Sequence, residues 1–150
     1  MPDGARHSRS APPGGRPRLA IVSTFDELCG IAGYTRALEQ QLATVFDVTV
    51  FDLDQYVLRS PHRRVQRMGD AHIRDIAAQL QCFDSVNIQL EFGTLGRFPP
   101  TILRRLRRLA EAAPRLSVTF HTVHGGGPVA RAEHRRPPRH ARVGAVGPAA

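Results

Sequence analysis

Four short apolar runs, separated by stretches in which apolar residues recur every three or four positions, set the pattern of this chain. Arg18 to Ser23 holds the first run, Leu19-Ala20-Ile21-Val22, and predicts a buried strand. Gly30 to Thr44 follows with Tyr34, Ala37, Leu38, Gln41 and Leu42 at helical spacing, and Val45 finishes that stripe. Phe46 to Leu53 alternates and is β-branched at Val48 and Val50, which suits a second strand. Asp54 to Met68 reads as a polar connection, basic through Arg59, Arg63, Arg64 and Arg67. Asp70, a side chain suited to capping, is expected to open a helix that runs to Gln81 on the stripe Ile73, Ile76, Ala77 and Leu80. Ser85 to Leu90 predicts a third strand, closed by Glu91-Phe92-Gly93. Pro99 and Pro100 fit the first turn of a helix, where a missing N–H costs nothing. Ile102, Leu103, Leu106, Leu109, Ala110 and Ala113 are its expected buried face, Pro114 stops it, and Leu116 to His121 is the fourth strand.

Strands alternating with helices of two to four turns imply right-handed crossovers between parallel strands. The expected fold class is therefore α/β, a Rossmann-like parallel sheet with flanking helices, over residues 18–124. Residues 1–17 are rich in Pro, Gly, Ser and Arg and hold almost nothing apolar, so they are expected to form a disordered leader. Residues 125–150 have no periodicity, no aromatic residue and no Leu or Ile, and use residue types that GC-rich codons specify. They are expected to be a disordered or frame-shifted tail, which would leave the sheet cut short.

Charge changes this picture less than the net value of +8 suggests. Residues 18–124 carry 13 arginines against 11 acidic residues, so most of the excess lies in the two ends, and the chain has no lysine. A basic surface for nucleic acid is not the expectation. No apolar run approaches the roughly 18–20 residues that span a bilayer, and the first residues lack the apolar core of a secretory signal. Cys29 and Cys82 match neither a disulfide framework nor a metal-site spacing and read as small hydrophobes; a cytoplasmic setting is expected. His62 and His72 show no ligand spacing, and no metal is expected. Asp26, Asp52 and Asp54 follow strands, but a phospho-acceptor receiver would also need a lysine after a late strand.

Candidate chemistry falls at the carboxyl ends of the predicted strands, where open α/β sheets bind ligands. Gly30 and Gly33 either make a plain tight turn or let a ligand approach backbone at a helix N-terminus. His121 is either a satisfied structural histidine or a donor to a hydroxyl or developing charge. Glu91 either binds hydroxyls or caps the turn that follows it. Arg104, Arg105, Arg107 and Arg108 lie on one helix and form either a solvated face or a patch for an anionic membrane.

Three segments carry a family resemblance. Ile21-Val22-Ser23-Thr24 with Cys29-Gly30-Ile31-Ala32-Gly33-Tyr34-Thr35 resembles the opening of the acceptor-side half of GT-B glycosyltransferases of the large retaining family 4. Val86-Asn87-Ile88-Gln89-Leu90-Glu91-Phe92-Gly93 is similar to that family's Gln-His-Glu-Phe/Tyr-Gly segment, with Leu90 where the family has His. Thr119-Phe120-His121-Thr122-Val123 is similar to its strand ending in His-Thr. The three occur in the family's order and cover about residues 18–124, the first part of such an enzyme.

The resemblance implies transfer of a sugar from a nucleotide-sugar to an acceptor hydroxyl, on a sugar or a lipid-linked acceptor, without metal or other cofactor. It implies Gly30 and Gly33 as the donor-diphosphate loop, Glu91 and Tyr34 as acceptor-binding residues, and His121 as the candidate catalytic residue; nothing is assigned to Leu90. It also implies that a donor-binding domain is missing, so the isolated chain is expected to be inactive. A basic helix resting on the inner membrane face would fit a lipid-linked acceptor. Two other readings stand beside this one: a non-catalytic α/β binding module or pseudo-enzyme, and a truncated product that does not fold stably.

Overall fold

The computed structural model describes residues 15–122; the expected leader up to residue 14 and the expected tail lie outside the described residues. Four strands form one parallel sheet: β1 (Arg18–Ser23), β2 (Asp47–Asp52), β3 (Ser85–Leu90) and β4 (Leu116–Phe120). Their order across the sheet is β2-β1-β3-β4. The fold is α/β and Rossmann-like, with helices α1 (Gly30–Leu42), α2 (Gln55–Leu58), α3 (Arg63–Leu80) and α4 (Pro99–Ala112) between the strands. β2 and β3 flank β1 on opposite sides, so crossovers of one handedness put α1 on one face of the sheet and α3 with α4 on the other. The strand order therefore reverses between β1 and β3, and the crevice beyond their carboxyl ends is the switch point of the sheet.

Strand alternation divides the residues between the two faces. Ala20, Val22, Val86 and Ile88 meet Ile73, Ile76, Ala77 and Leu80 of α3 and Leu109 of α4 in the main core, joined by Leu53, Leu58 and Leu95. Each fully buried aliphatic side chain there contributes about 1.5–3 kcal/mol of transfer free energy. Toward α1, Leu19 and Ile21 are buried, as are Ala32 and Thr35 of the helix. A Ser23–Thr35 hydroxyl hydrogen bond of 2.7 Å ties α1 to the end of β1.

Four expectations change. The expected connection after β2 instead folds into α2 and the first turns of α3, with Asp54 Oδ1 accepting from Val57 N–H at 3.0 Å as the cap of α2. Asp70 is not a cap; it sits two turns inside α3, where it pairs with arginines of α4. On α1, Tyr34, Ala37, Gln41 and the following Val45 are exposed, while Ala32 and Thr35 take the buried positions. Cys29 and Cys82 are both exposed rather than packed.

A further expectation, concerning α4, fails in an informative way. Leu103 is 67% exposed, whereas Arg105 is 2% exposed. Arg105 Nε donates to Asp70 Oδ1 at 2.8 Å, and its other nitrogens reach the carbonyls of Leu58 at 3.0 Å, Leu95 at 2.8 Å and Gln66 at 3.2 Å. One guanidinium thus joins the end of α2, the middle of α3 and the loop after β3. Five donors in a planar fork make arginine the side chain able to do this. Arg105 therefore cannot belong to a membrane-facing patch. Arg104 pairs with Asp70 at 2.8 Å and Arg107 lies 3.6 Å from Glu111, so both remain at the surface in ion pairs.

Candidate functional site

The carboxyl edge of the sheet is built from loops that the chain holds firmly. After β1, the loop 24–29 is fixed from two sides. Asp52 Oδ1 accepts from the N–H groups of Phe25 at 2.6 Å and Asp26 at 3.4 Å. Arg36, nearly two turns into α1, donates to the carbonyls of Phe25 and, at 3.3 Å, of Glu27. Asp52 and Asp54 thus serve backbone N–H groups. Cys29 caps α1 through its thiol, which accepts from Ala32 N–H at 3.4 Å. That leaves the Gly30 and Ile31 N–H groups without an intrahelical partner at the helix start.

Gly30 and Gly33 are both helical residues. Neither has a positive φ, and a Cβ built on either meets nothing within 4 Å. The tight-turn reading is thereby set aside: the backbone does not require glycine at either position, and both face open space. The glycines that the backbone does require follow β3. Gly93 has φ of 90° and Gly96 of 146°, in the loop that Arg105 anchors at Leu95.

Beyond β3 and β4, on the face that α1 flanks, polar side chains gather into a network. Asn87 donates to Ser117 Oγ at 2.9 Å and to Thr119 Oγ1 at 3.3 Å. Gln89 is fully buried; its Nε2 donates to Asn87 Oδ1 and, at 3.4 Å, to Thr119 Oγ1. Its Oε1 lies 2.7 Å from His121 Nε2. Because the Gln89 amide nitrogen is committed to Asn87, the network assigns the proton of a neutral His121 to Nε2. Nδ1 is then the ring atom left to accept a hydrogen bond, and His121 becomes a donor through it only when protonated. Tyr34 of α1 meets the His121 ring edge-to-face, with centroids 5.2 Å apart. Thr122 Oγ1 donates to Glu91 Oε1 at 2.7 Å.

Of the residues singled out from sequence, Tyr34 and His121 are brought together, and Glu91 sits beside Thr122, the neighbour of His121. Gly30 and Gly33 lie at the start of the helix that carries Tyr34. The sequence reading missed Gln89, which orients His121, together with Asn87, Thr119 and Thr122. Their signal was present: polar Ser85, Asn87, Gln89 and Ser117, Thr119, His121 alternate with apolar neighbours, marking one polar face across β3 and β4. Leu90 falls on the opposite face by the same alternation and packs against the main core. Its side chain is therefore not part of the His121 network.

Among the described residues no helix is long and apolar enough to cross a membrane. No group of three or more His, Cys, Asp or Glu side chains there could hold a metal ion. No family model matches the chain, and neither a curated protein nor a solved structure does.

Proposed function

We propose that the carboxyl edge of this sheet binds sugar hydroxyls and that the chain is the acceptor-side part of a retaining GT-B glycosyltransferase that uses a nucleotide-sugar. The observation that carries the reading is the meeting of Tyr34, Gln89 and His121, from three distant segments, beside the β1–β3 switch point. A ring nitrogen, a carboxylate, hydroxyls and an aromatic edge in one place suit a polyol, whose hydroxyls both donate and accept. His121 Nδ1 accepts from an acceptor hydroxyl; Gln89 holds the ring and its tautomer; Glu91 takes a second hydroxyl. The exposed start of α1 at Gly30 and Gly33 offers N–H groups and a positive dipole end to a diphosphate. In such a site, positioning and electrostatic stabilisation of a leaving diphosphate carry most of the rate.

In this reading the donor is held mainly by a second domain, so the 150-residue chain binds sugars without turning over a nucleotide-sugar. Saturation-transfer NMR of the purified chain against a panel of hexosides and nucleotide-sugars tests it. The expected result is contact with the sugar ring protons, lost in His121→Ala and weakened in Glu91→Gln, with circular dichroism unchanged. Absence of contact with every panel member overturns the proposal. So does contact that neither substitution alters. Release of nucleoside diphosphate by the wild-type chain would refute the division of labour between domains.

A further inference from the structure

Among the described residues, the outer edge of β4 is unpaired. The Val86 N–H donates to the Arg115 carbonyl at 2.8 Å and the His121 N–H to the Leu90 carbonyl at 3.1 Å. Between those two bonds the parallel ladder alternates, so Arg115, Ser117, Thr119 and His121 turn their backbone groups toward β3. Leu116, Val118 and Phe120 therefore turn theirs outward, and among the described residues no strand pairs with that side. Natural edge strands are usually guarded by charge, proline or a bulge. The run Leu116-Ser117-Val118-Thr119-Phe120 contains no charged residue and no proline. Two of its large apolar side chains are exposed, Leu116 at 43% and Phe120 at 61%.

This edge is complementary to itself. We infer that β4 is a homodimer interface, in which two copies pair antiparallel about a two-fold axis at Val118 and make one continuous eight-stranded sheet. The register follows from the free groups. With Val118 opposite Val118 of the second copy, Leu116 falls opposite Phe120, so every outward N–H and C=O faces an outward partner. The same register sets the exposed Leu116 beside the exposed Phe120 across the interface, a cross-strand apolar pair, and Ser117 beside Thr119. Charge favours the antiparallel sense as well. Arg115 begins the strand, and Glu91, held by Thr122, lies where the strand ends. Antiparallel pairing brings each Arg115 toward the opposite copy's Glu91, whereas a parallel pair would stack like on like. The two-fold axis makes the contact isologous and closed, so pairing stops at two copies. The inference is independent of the sugar-binding proposal.

Sedimentation velocity of the full chain in reducing buffer, across a concentration series, tests it together with amide exchange. The expected result is a rise from the 16.5 kDa monomer to twice that mass. Exchange at the Val118 and Phe120 amides slows as protein concentration rises, while Ser117 and Thr119, already bonded to β3, do not change. Val118→Pro removes the central outward N–H and leaves the inner ladder intact, so it returns the protein to monomer with an unchanged circular dichroism spectrum. If that variant does not fold, Phe120→Lys, at an exposed position, gives the same loss of dimer, and the exchange pattern needs no variant. A chain that stays monomeric overturns the inference. So does a dimer whose Val118 and Phe120 amides remain fast, or slow exchange there that does not depend on concentration, since the edge would then be covered from within one chain.

Discussion

Removing the Arg105 guanidinium should cost this domain a large part of its stability. Arg105→Ala strips donors from the carbonyls of Leu58, Leu95 and Gln66 and takes one of two arginines from Asp70. A buried polar group left without a partner costs about 1–3 kcal/mol, and breaking a buried ion pair about 3–5 kcal/mol. Asp70 is partly exposed and keeps Arg104, which places its share at the low end. A total loss of about 3–5 kcal/mol is expected, against about 5–15 kcal/mol for a whole domain. Urea unfolding followed by far-UV circular dichroism reads it as a midpoint lower by about 2 M with the slope unchanged. Arg105→Lys should recover only part, since an ammonium cannot span the same fork of acceptors. Gly69 supplies an independent check. A Cβ there would lie 2.9 Å from Arg105 Nη2 and 3.3 Å from the Val57 carbonyl oxygen. Helical Gly→Ala ordinarily gains about 1 kcal/mol, but here it should destabilise by about 1–3 kcal/mol because the guanidinium is pinned. An Arg105→Ala loss below about 1 kcal/mol would refute the reasoning, because the side chain would then be exchanging its bonds for water.

The other predictions concern acid, glycine and the cap of α1. Partial burial pushes the Asp70 carboxyl up, but its hydrogen bond and charge pairing with Arg105, then with Arg104, outweigh this and hold it below the ordinary value of 3.8. A carboxyl lowered in the folded state contributes stability that is present above 3.8 and lost as pH falls through the folded value. Urea midpoints between pH 7 and pH 2 should therefore drop less steeply in Asp70→Asn than in wild type at the acid end. Gly33→Ala should leave stability unchanged or raise it by up to about 1 kcal/mol, whereas Gly93→Ala, at φ of 90°, should cost about 1–2 kcal/mol in thermal unfolding. If a diphosphate uses the start of α1, Gly33→Ala also weakens nucleotide-sugar contact in the NMR assay while the melting temperature holds. Cys29→Ser replaces a weak thiol cap by a hydroxyl and should raise the unfolding free energy by about 0.5–1 kcal/mol.

The pattern of apolar and polar positions was enough to place every strand of the described residues. β1 and β3 have the bounds that the pattern predicts, and β2 and β4 lie within theirs. β1, buried on both faces, is continuously apolar from Leu19 to Val22, whereas β2, β3 and β4 alternate, and both are short-range patterns distinct from helical spacing. Helices were less legible because half their surface is free to be anything. On α4, Arg105 lies three residues after Ile102 and four before Leu109, inside the apolar stripe, while Leu103 lies off it. Spacing alone therefore hinted at the burial that residue type argued against. What no spacing could supply was the partner, since Asp70, Leu58 and Leu95 reach Arg105 only after α2, α3 and the loop after β3 have packed.

The candidate site divides the same way. Glu91 and His121 were visible because polar residues follow predicted strands, where a parallel sheet opens its crevice, and Tyr34 came only from the resemblance of the segment that carries it. Their relation was not visible. The proton on His121 Nε2 depends on Gln89, whose own orientation depends on Asn87 and Thr119, and this chain of bonds crosses two strands 30 or more residues apart. The sequence by itself determined the four strands of the described residues and which of their faces is apolar, because those follow from local periodicity. Only the tertiary structure decided which arginine became a buried clasp, which glycines the backbone needs and which ring nitrogen of His121 is left to accept a hydrogen bond. Those properties belong to contacts between distant segments, and no single segment carries them.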